Sequence, residues 1–140
     1  MRQILLFAGL VASLALLVGC GAVKGEPNTA EDVPDKAEYH KIIGEEAYEM
    51  MASQEVVVVD VRTQEEYDGG HIESAVLVPN ESIVSEMPEA LPDKEATLLV
   101  YCRSGRRSKD AAQKLLELGY QSVYDFGGVI DWPYELVKEG

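Results

Sequence analysis

Short apolar runs recur along the chain from residue 39 onwards, with amphipathic stretches between them. The clearest is Val56-Val57-Val58-Val59, which is continuous and β-branched, as is typical of a strand buried on both faces of a parallel sheet. The runs predict five strands, at residues 39–43, 56–59, 75–78, 97–101 and 122–126.

Helical patterns fill the intervals between these runs. They predict helices at residues 45–53 and 108–118, a helical turn at 65–68, a helix at 82–90 interrupted by Pro88, and a C-terminal helix holding Trp132. The inward faces are expected to carry Ala47, Tyr48, Met50 and Met51 in the first helix and Ala111, Ala112, Leu115, Leu116 and Leu118 in the second. This alternation predicts an α/β fold in which a mostly parallel sheet has helices on both faces, with functional sites at the carboxyl ends of its strands.

The first 19 residues have the layout of a secretory signal peptide, with Arg2 followed by an apolar run and small residues before Cys20. The run of 15 residues, Ile4 to Val18, is shorter than the ~20 that span a bilayer as a helix. Leu17-Val18-Gly19-Cys20 resembles the lipobox of bacterial lipoproteins, which implies lipidation of Cys20; a plain secreted protein is the alternative. The polar composition of residues 20–37, which include Cys20, predicts a flexible tether. Residues 38–140 are then predicted to form the domain.

The charge of the chain limits the classes of partner that it is expected to bind. The net charge of -13 over 140 residues argues against nucleic acid and anionic lipid headgroups, since both attract basic faces. The basic residues Arg103, Arg106, Arg107 and Lys109 are concentrated in one short stretch, which also contains Cys102. The chain therefore has one local site that attracts anions.

Cys102 stands where a predicted strand ends and a helix begins. Amide groups at a helix start and the nearby arginines stabilise an anion there, and this anion can be the cysteine thiolate. The alternative is that Cys102 is a buried cysteine with only a structural role. If Cys20 is lipidated, Cys102 is the only remaining thiol, so no internal disulfide can form.

Several segments together resemble a single-domain rhodanese over residues 39–132. They are Val58-Val59-Asp60-Val61-Arg62, Glu65-Glu66-Tyr67, Gly69-Gly70-His71-Ile72, Val100-Tyr101-Cys102-Arg103-Ser104-Gly105-Arg106-Arg107-Ser108, Gly119-Tyr120, and Gly127-Gly128 with Trp132. The resemblance implies a three-layer α/β/α domain with a central five-stranded sheet. It also implies a sulfurtransferase in which Cys102 takes sulfane sulfur from thiosulfate and passes it to a thiol or cyanide. The active-site loop is then Arg103, Ser104, Gly105, Arg106 and Arg107.

Two features bear on this resemblance. Related phosphatases and arsenate reductases have Cys-x5-Arg loops that fit tetrahedral oxyanions, whereas Cys102 and Arg107 give Cys-x4-Arg. A shorter loop makes a smaller cradle, which favours sulfur transfer over the oxyanion alternative. The chain also has Glu73-Ser74 where relatives often have Pro-Gly, so the geometry of this turn is expected to differ.

Three other polar residues are candidates for supporting roles. Asp60 and Arg62 are expected to pair or brace turns, and His71 to make a structural hydrogen bond, although it could act as a general base. No His/Cys cluster has the spacing of metal ligands, and no cofactor is expected. The sequence thus predicts an exported, membrane-tethered sulfurtransferase with a small anionic donor. The alternative is a non-catalytic or persulfide-carrying module that docks a partner protein.

Overall fold

The computed structural model describes residues 37–138. The predicted signal peptide, the lipidation site Cys20 and nearly all of the predicted tether lie outside these residues. The elements are β1 (Glu38–Lys41), α1 (Gly44–Ser53), β2 (Val57–Asp60), α2 (Gln64–Asp68), β3 (Val76–Leu77), β4 (Thr97–Cys102), α3 (Arg106–Glu117) and β5 (Ser122–Gly128), with 3₁₀ turns at Asn80–Ser82 and Val129–Asp131. Within the described range no helix is both long and apolar enough to cross a membrane.

The five strands form one sheet in the order β1-β5-β4-β2-β3, and every neighbouring pair is parallel. This confirms the predicted α/β fold with a parallel sheet. Strand β4 lies in the middle, so Cys102 at its carboxyl end is flanked by the ends of β5 and β2. Crossover connections of this kind place side-chain sites along that edge of the sheet.

Two apolar cores cover the two faces of the sheet. On one face, Ala111, Ala112 and Leu115 of α3 pack with Val100 and Cys102 of β4. On the other face, Ala47 of α1 and Tyr67 of α2 pack against a cluster that contains Leu99, Tyr101 and Phe126. Because side chains alternate along a strand, Tyr101 and Cys102 belong to different cores.

The helix predicted at residues 82–90 is absent, and this prediction was wrong. After the 3₁₀ turn Asn80–Ser82 the chain runs through bends and two turns, at residues 89–90 and 94–95, as far as β4. Ile83 and Leu91 are buried, whereas the residues between them are exposed or half-buried, so this stretch has no continuous apolar face. Pro88 and Pro92 each lack an amide donor and disfavour helical angles in the preceding residue.

The predicted C-terminal helix is also wrong. Strand β5 continues through Gly128, the 3₁₀ turn Val129–Asp131 follows it, and the described residues 132–138 form no helix. Trp132 lies beyond that turn with extended backbone angles, φ -75° and ψ 116°. Pro133 explains this conformation, because a proline disfavours the α region for the residue before it.

Two smaller differences concern single residues. Tyr48, expected to face inward, is 46% exposed and stacks on Tyr134 with ring centroids 4.0 Å apart. Ser74, in the turn where relatives often have glycine, has a φ of +66°, a left-handed conformation that non-glycine residues seldom adopt. The turn thus keeps a conformation that suits glycine, although serine occupies it.

Candidate active site

The loop between β4 and α3 closes around the Cys102 sulfur. The amide of Gly105 donates a hydrogen bond to Sγ at 3.0 Å. Gly105 is the N-cap of α3 and has a φ of +102°, which glycine adopts without steric cost. Helix α3 therefore begins at Arg106, two residues earlier than predicted, and its amino-terminal end faces the thiol.

Strand β5 holds the other side of the loop. Cys102 is opposite Gly128 in the sheet, after a register shift beyond Val100. A Cβ atom on Gly128 would collide with the backbone of Arg103 and Ser104, so only glycine fits there. The amide of Ile130 donates to the carbonyl oxygen of Arg103 at 3.2 Å. These contacts fix the start of the loop against the end of β5.

The surroundings of the thiol favour its ionised form. Burial raises the pKa of Cys102, which is 1% exposed, but hydrogen bonds from the backbone amides of Ser108, Gly105 and Ser104 lower it, and the net shift is below the ordinary value. A thiolate is the nucleophilic form of cysteine. The loop therefore supplies a buried sulfur that is easier to ionise than a free thiol.

The three arginines of the loop have different environments. Arg103 and Arg106 are exposed, as is Ser104, and within residues 37–138 neither arginine forms a salt bridge. Arg107 instead makes a two-pronged ion pair with Glu66, at 2.7 and 2.8 Å. The charge of Arg107 is thus partly neutralised, and the cations left for a ligand are Arg103 and Arg106.

Glu66 was not among the residues selected from the sequence. It belongs to a capping box at the start of α2, where its carboxylate accepts from the amide of Thr63 and its own amide donates to the Thr63 hydroxyl. The Thr63-x-x-Glu66 pattern was readable in the sequence, but the partner Arg107 lies on another element. The hydrogen bonds from Arg107 lower the pKa of Glu66 to about 2, against the opposing effect of burial.

Replacing Glu66 with glutamine is expected to destabilise the protein at neutral pH by about 1 kcal/mol, the magnitude of a partly exposed ion pair. Since folding lowers the pKa of Glu66, the pair stabilises the folded state above the ordinary carboxyl range. This stabilisation is lost as the pH falls towards about 2. Urea unfolding at successively lower pH should show the two proteins converging. Glu65→Gln, an exposed carboxylate in the same helical turn, is the matched control; equal effects of the two variants would contradict a specific pair with Arg107.

The supporting residues Asp60 and Arg62 form a buried brace. The Arg62 guanidinium donates to both oxygens of Asp60, at 3.0 and 2.6 Å, and to the carbonyl oxygen of Gly70 at 2.8 Å. The hydroxyl of Tyr101 donates to Asp60 at 2.6 Å and accepts from the amide of Ile72. Because Tyr101 points to the face opposite Cys102, this brace supports β4 without touching the sulfur.

His71 is also held by structural contacts. Its Nδ1 lies 2.9 Å from the carbonyl oxygen of Tyr67, and its ring stacks on the Tyr67 ring at 3.6 Å. Its backbone exchanges two hydrogen bonds with Val137. Every contact described for His71 thus ties α2 to the C-terminal segment.

Sequence reasoning missed a second pair next to the thiol. The Ser108 hydroxyl lies 3.7 Å from Sγ and 2.7 Å from Oδ1 of Asp125, and both residues are buried. The sequence placed Ser108 at the end of the resembling loop segment and at the start of a helix, and Asp125 within a strand, with no role at the site for either residue. Between residues 37 and 138 there is no cluster of three or more His, Cys, Asp and Glu side chains that could hold a metal ion.

A family model, curated relatives and solved structures agree on the family that this chain resembles. Residues 44–133 match the Rhodanese-like domain family. The chain is 38% identical over 80 residues to thiosulfate sulfurtransferase PspE of Escherichia coli strain K12, covering 57% of this chain and 77% of that protein. It is 29% identical over 106 residues to a tRNA uridine(34) hydroxylase of Yersinia pestis, covering 72% of this chain and 30% of that protein. A solved structure described as rhodanese with anions from E. coli superposes with a TM-score of 0.55 at 35% identity, over 61% of this chain and all of that one.

Proposed function

Since the chain belongs to the rhodanese-like sulfurtransferase family, we propose that it is an exported, membrane-tethered enzyme that moves sulfane sulfur through a persulfide on Cys102. The observation that carries the proposal is the hydrogen bond from the Gly105 amide to the Cys102 sulfur. This donor and the helix start behind it stabilise a negative sulfur, both in the free thiolate and in a persulfide.

The reaction has two balanced steps. The Cys102 thiolate attacks the outer sulfur of thiosulfate; a sulfur–sulfur bond to the enzyme forms, the bond within thiosulfate breaks, and sulfite leaves with the electron pair. Cyanide or a thiolate then attacks the outer sulfur of the persulfide. Thiocyanate or a new persulfide is released, and the Cys102 thiolate returns.

The tether rests on the sequence of the first 20 residues. A leader of one charge, an apolar run and small residues before Cys20 fits export followed by lipidation. A single acyl chain binds a membrane only weakly, so the proposed anchor requires more than one chain on this terminus. Radiolabelled palmitate should enter the wild-type chain in bacteria and fail to enter Cys20→Ala.

Thiosulfate alone tests the first step. The purified protein, incubated with thiosulfate and no acceptor, is expected to gain the mass of one sulfur atom, and peptide mapping should place it on Cys102. Cyanide should remove the added mass and release an equal amount of thiocyanate. An unchanged mass together with no sulfite release would contradict the persulfide step.

The exposed arginines are expected to act on the anionic donor. Arg103→Ala should lower kcat/KM for thiosulfate about tenfold, which corresponds to about 1.4 kcal/mol, because an unpaired cation is lost from the loop. The rate of alkylation by neutral iodoacetamide should be unchanged. Arg107→Ala should slow both reactions, since the ion pair with Glu66 shapes the loop. If Arg103→Ala slowed both reactions equally, its charge would not act on the donor.

A persulfide carrier with a protein acceptor is the second candidate. Cys102 is almost fully buried, and two surface cavities of about 450 and 490 Å³ are lined by residues outside the loop. A partner protein that covers the loop itself would need no such cavity. This candidate predicts a stable persulfide with little thiocyanate released by cyanide.

A further inference from the structure

We propose that Asp125 is a positioning residue that sets the pH at which Cys102 becomes a nucleophile, acting through the hydroxyl of Ser108. This role rests on the proposed function, because Cys102 is the nucleophile of that reaction. The contacts between Asp125, Ser108 and Cys102 bear directly only on the ionisation of the Cys102 thiol.

The Ser108 hydroxyl lies close to more hydrogen-bond acceptors than it can donate to. Its oxygen lies 2.7 Å from Oδ1 of Asp125, 3.1 Å from the carbonyl oxygen of Gly105 and 3.2 Å from that of Gly127. A hydroxyl has a single proton to donate. The shortest contact is to the carboxylate, which is also the strongest acceptor, so the proton points to Asp125.

The fourth neighbour of this hydroxyl is the Cys102 sulfur, at 3.7 Å. With the Ser108 proton on Asp125, a lone pair of the hydroxyl oxygen is left for the thiol, which can donate its own proton to it. This arrangement favours the protonated thiol. A Cys102 thiolate can only accept a hydrogen bond, so the Ser108 hydroxyl would have to donate to the sulfur instead of to Asp125.

The side chain of Asp125 is buried and is contacted by groups from three elements. Its Oδ1 accepts from Ser108 of α3 and from the amide of Gly127 at 2.9 Å. Its Oδ2 accepts from the hydroxyl of Tyr39 at 2.7 Å and lies 3.3 Å from Nζ of Lys41, both on β1. Burial and the bond to Asp125 raise the pKa of Tyr39, so this phenol stays a donor at all ordinary pH values.

The remaining charges near the sulfur belong to the loop side. Arg107 of α3 is the cation that interacts with Cys102, and it also interacts with Glu66 of α2 and with Glu81 in the 3₁₀ turn. On the β5 side the carboxylate of Asp125 reaches the sulfur only through the Ser108 hydroxyl, whereas on the α3 side Arg107 interacts with the sulfur itself. Asp125 and Arg107 act on the thiolate in opposite directions.

Two substitutions test the path from Asp125 to Cys102. Asp125→Asn removes the negative charge and weakens the acceptor, so the midpoint of the alkylation profile should move to lower pH. Iodoacetamide should react about fivefold faster at a pH below the wild-type midpoint. Ser108→Ala removes the hydroxyl through which Asp125 acts, so adding Asp125→Asn to Ser108→Ala should leave the midpoint of that variant nearly unchanged. The ultraviolet absorbance of the thiolate provides the same midpoint without a reagent.

If Asp125→Asn fails to fold, two substitutions of exposed lysines provide an independent test. Lys41 has a side chain that is 52% exposed, and Lys41→Met leaves the charge of Asp125 less compensated. Alkylation below the midpoint should slow about twofold. Lys138→Met changes the net charge equally at an exposed position of the C-terminal segment, beside Gly70, and should leave the rate unchanged.

The outcomes separate this proposal from the proposed function. Alkylation and absorbance need no thiosulfate, so a chain that transfers no sulfur still answers the question. A midpoint that stays in place or rises in Asp125→Asn would overturn the role of Asp125. Equal slowing by Lys41→Met and Lys138→Met would do the same, because only net charge would then act.

Discussion

Replacing Cys102 with serine is expected to abolish the release of thiocyanate from thiosulfate and cyanide, with a loss on the order of a thousandfold or more. A serine hydroxyl does not ionise at neutral pH, and the amide donors of the loop, with Gly105 at 3.0 Å from the cysteine sulfur, cannot make it do so. Serine is nearly isosteric with cysteine, so the fold should persist. Circular dichroism and the urea midpoint would verify this.

The second cysteine of the sequence requires its own control. Cys20→Ala keeps the loop unchanged, so it should retain thiocyanate release in detergent solution while losing the proposed lipid. Activity that survives in Cys102→Ser but disappears in Cys20→Ala would overturn the assignment of the nucleophile. A wild-type protein that forms the persulfide but releases no thiocyanate would favour the carrier.

Replacing Arg62 with methionine is expected to cost about 3–5 kcal/mol of unfolding free energy, the range for breaking a buried ion pair. The side chains of Arg62 and Asp60 are 6% and 0% exposed, and the substitution leaves the Asp60 carboxylate buried with only the Tyr101 hydroxyl and one amide as donors. Arg62 also loses its bond to Gly70. The midpoint of urea unfolding measures the effect.

Arg103→Met is the matched control for this variant, because it removes the same charge from an exposed residue of the neighbouring loop. Its stability should change by less than about 0.5 kcal/mol. Folded Arg62→Met should still form the persulfide, since the brace lies on the face opposite the sulfur. A specific loss of persulfide formation in a stably folded variant would assign Arg62 a part in the chemistry.

The sheet was predictable because its strands are uniform apolar runs. Val56 to Val59 and Thr97 to Tyr101 are each covered on both faces, and burial of this kind leaves a continuous pattern in the sequence. Residues 82–90 misled the prediction because Ile83, Val84 and Met87 have helical spacing in the sequence, although Val84 and Met87 are exposed in the structure and Ile83 is buried, as is Leu91 beyond them. Tertiary burial fixed the positions of Ile83 and Leu91, and prolines prevented a regular helix between them.

The loop could be predicted from its local sequence, whereas its partners could not. Cys102 and Gly105 are three residues apart, so a tight loop at a strand end already implies their contact. Glu66 is 41 positions from Arg107, and Asp125 is 17 positions from Ser108. Such pairs depend on how the elements dock, and neither residue differs in type from many surface carboxylates of this acidic chain.

The pairing of the first strand with the last has a consequence for the order in which the domain assembles. Strand β1 pairs with β5, and Glu38 lies opposite Ser122. During synthesis, or when a chain is threaded through a membrane with its amino terminus first, β1 emerges early and must wait for β5 to follow. Contacts so distant in sequence form late in folding, so the sheet is completed only when almost the whole chain has emerged.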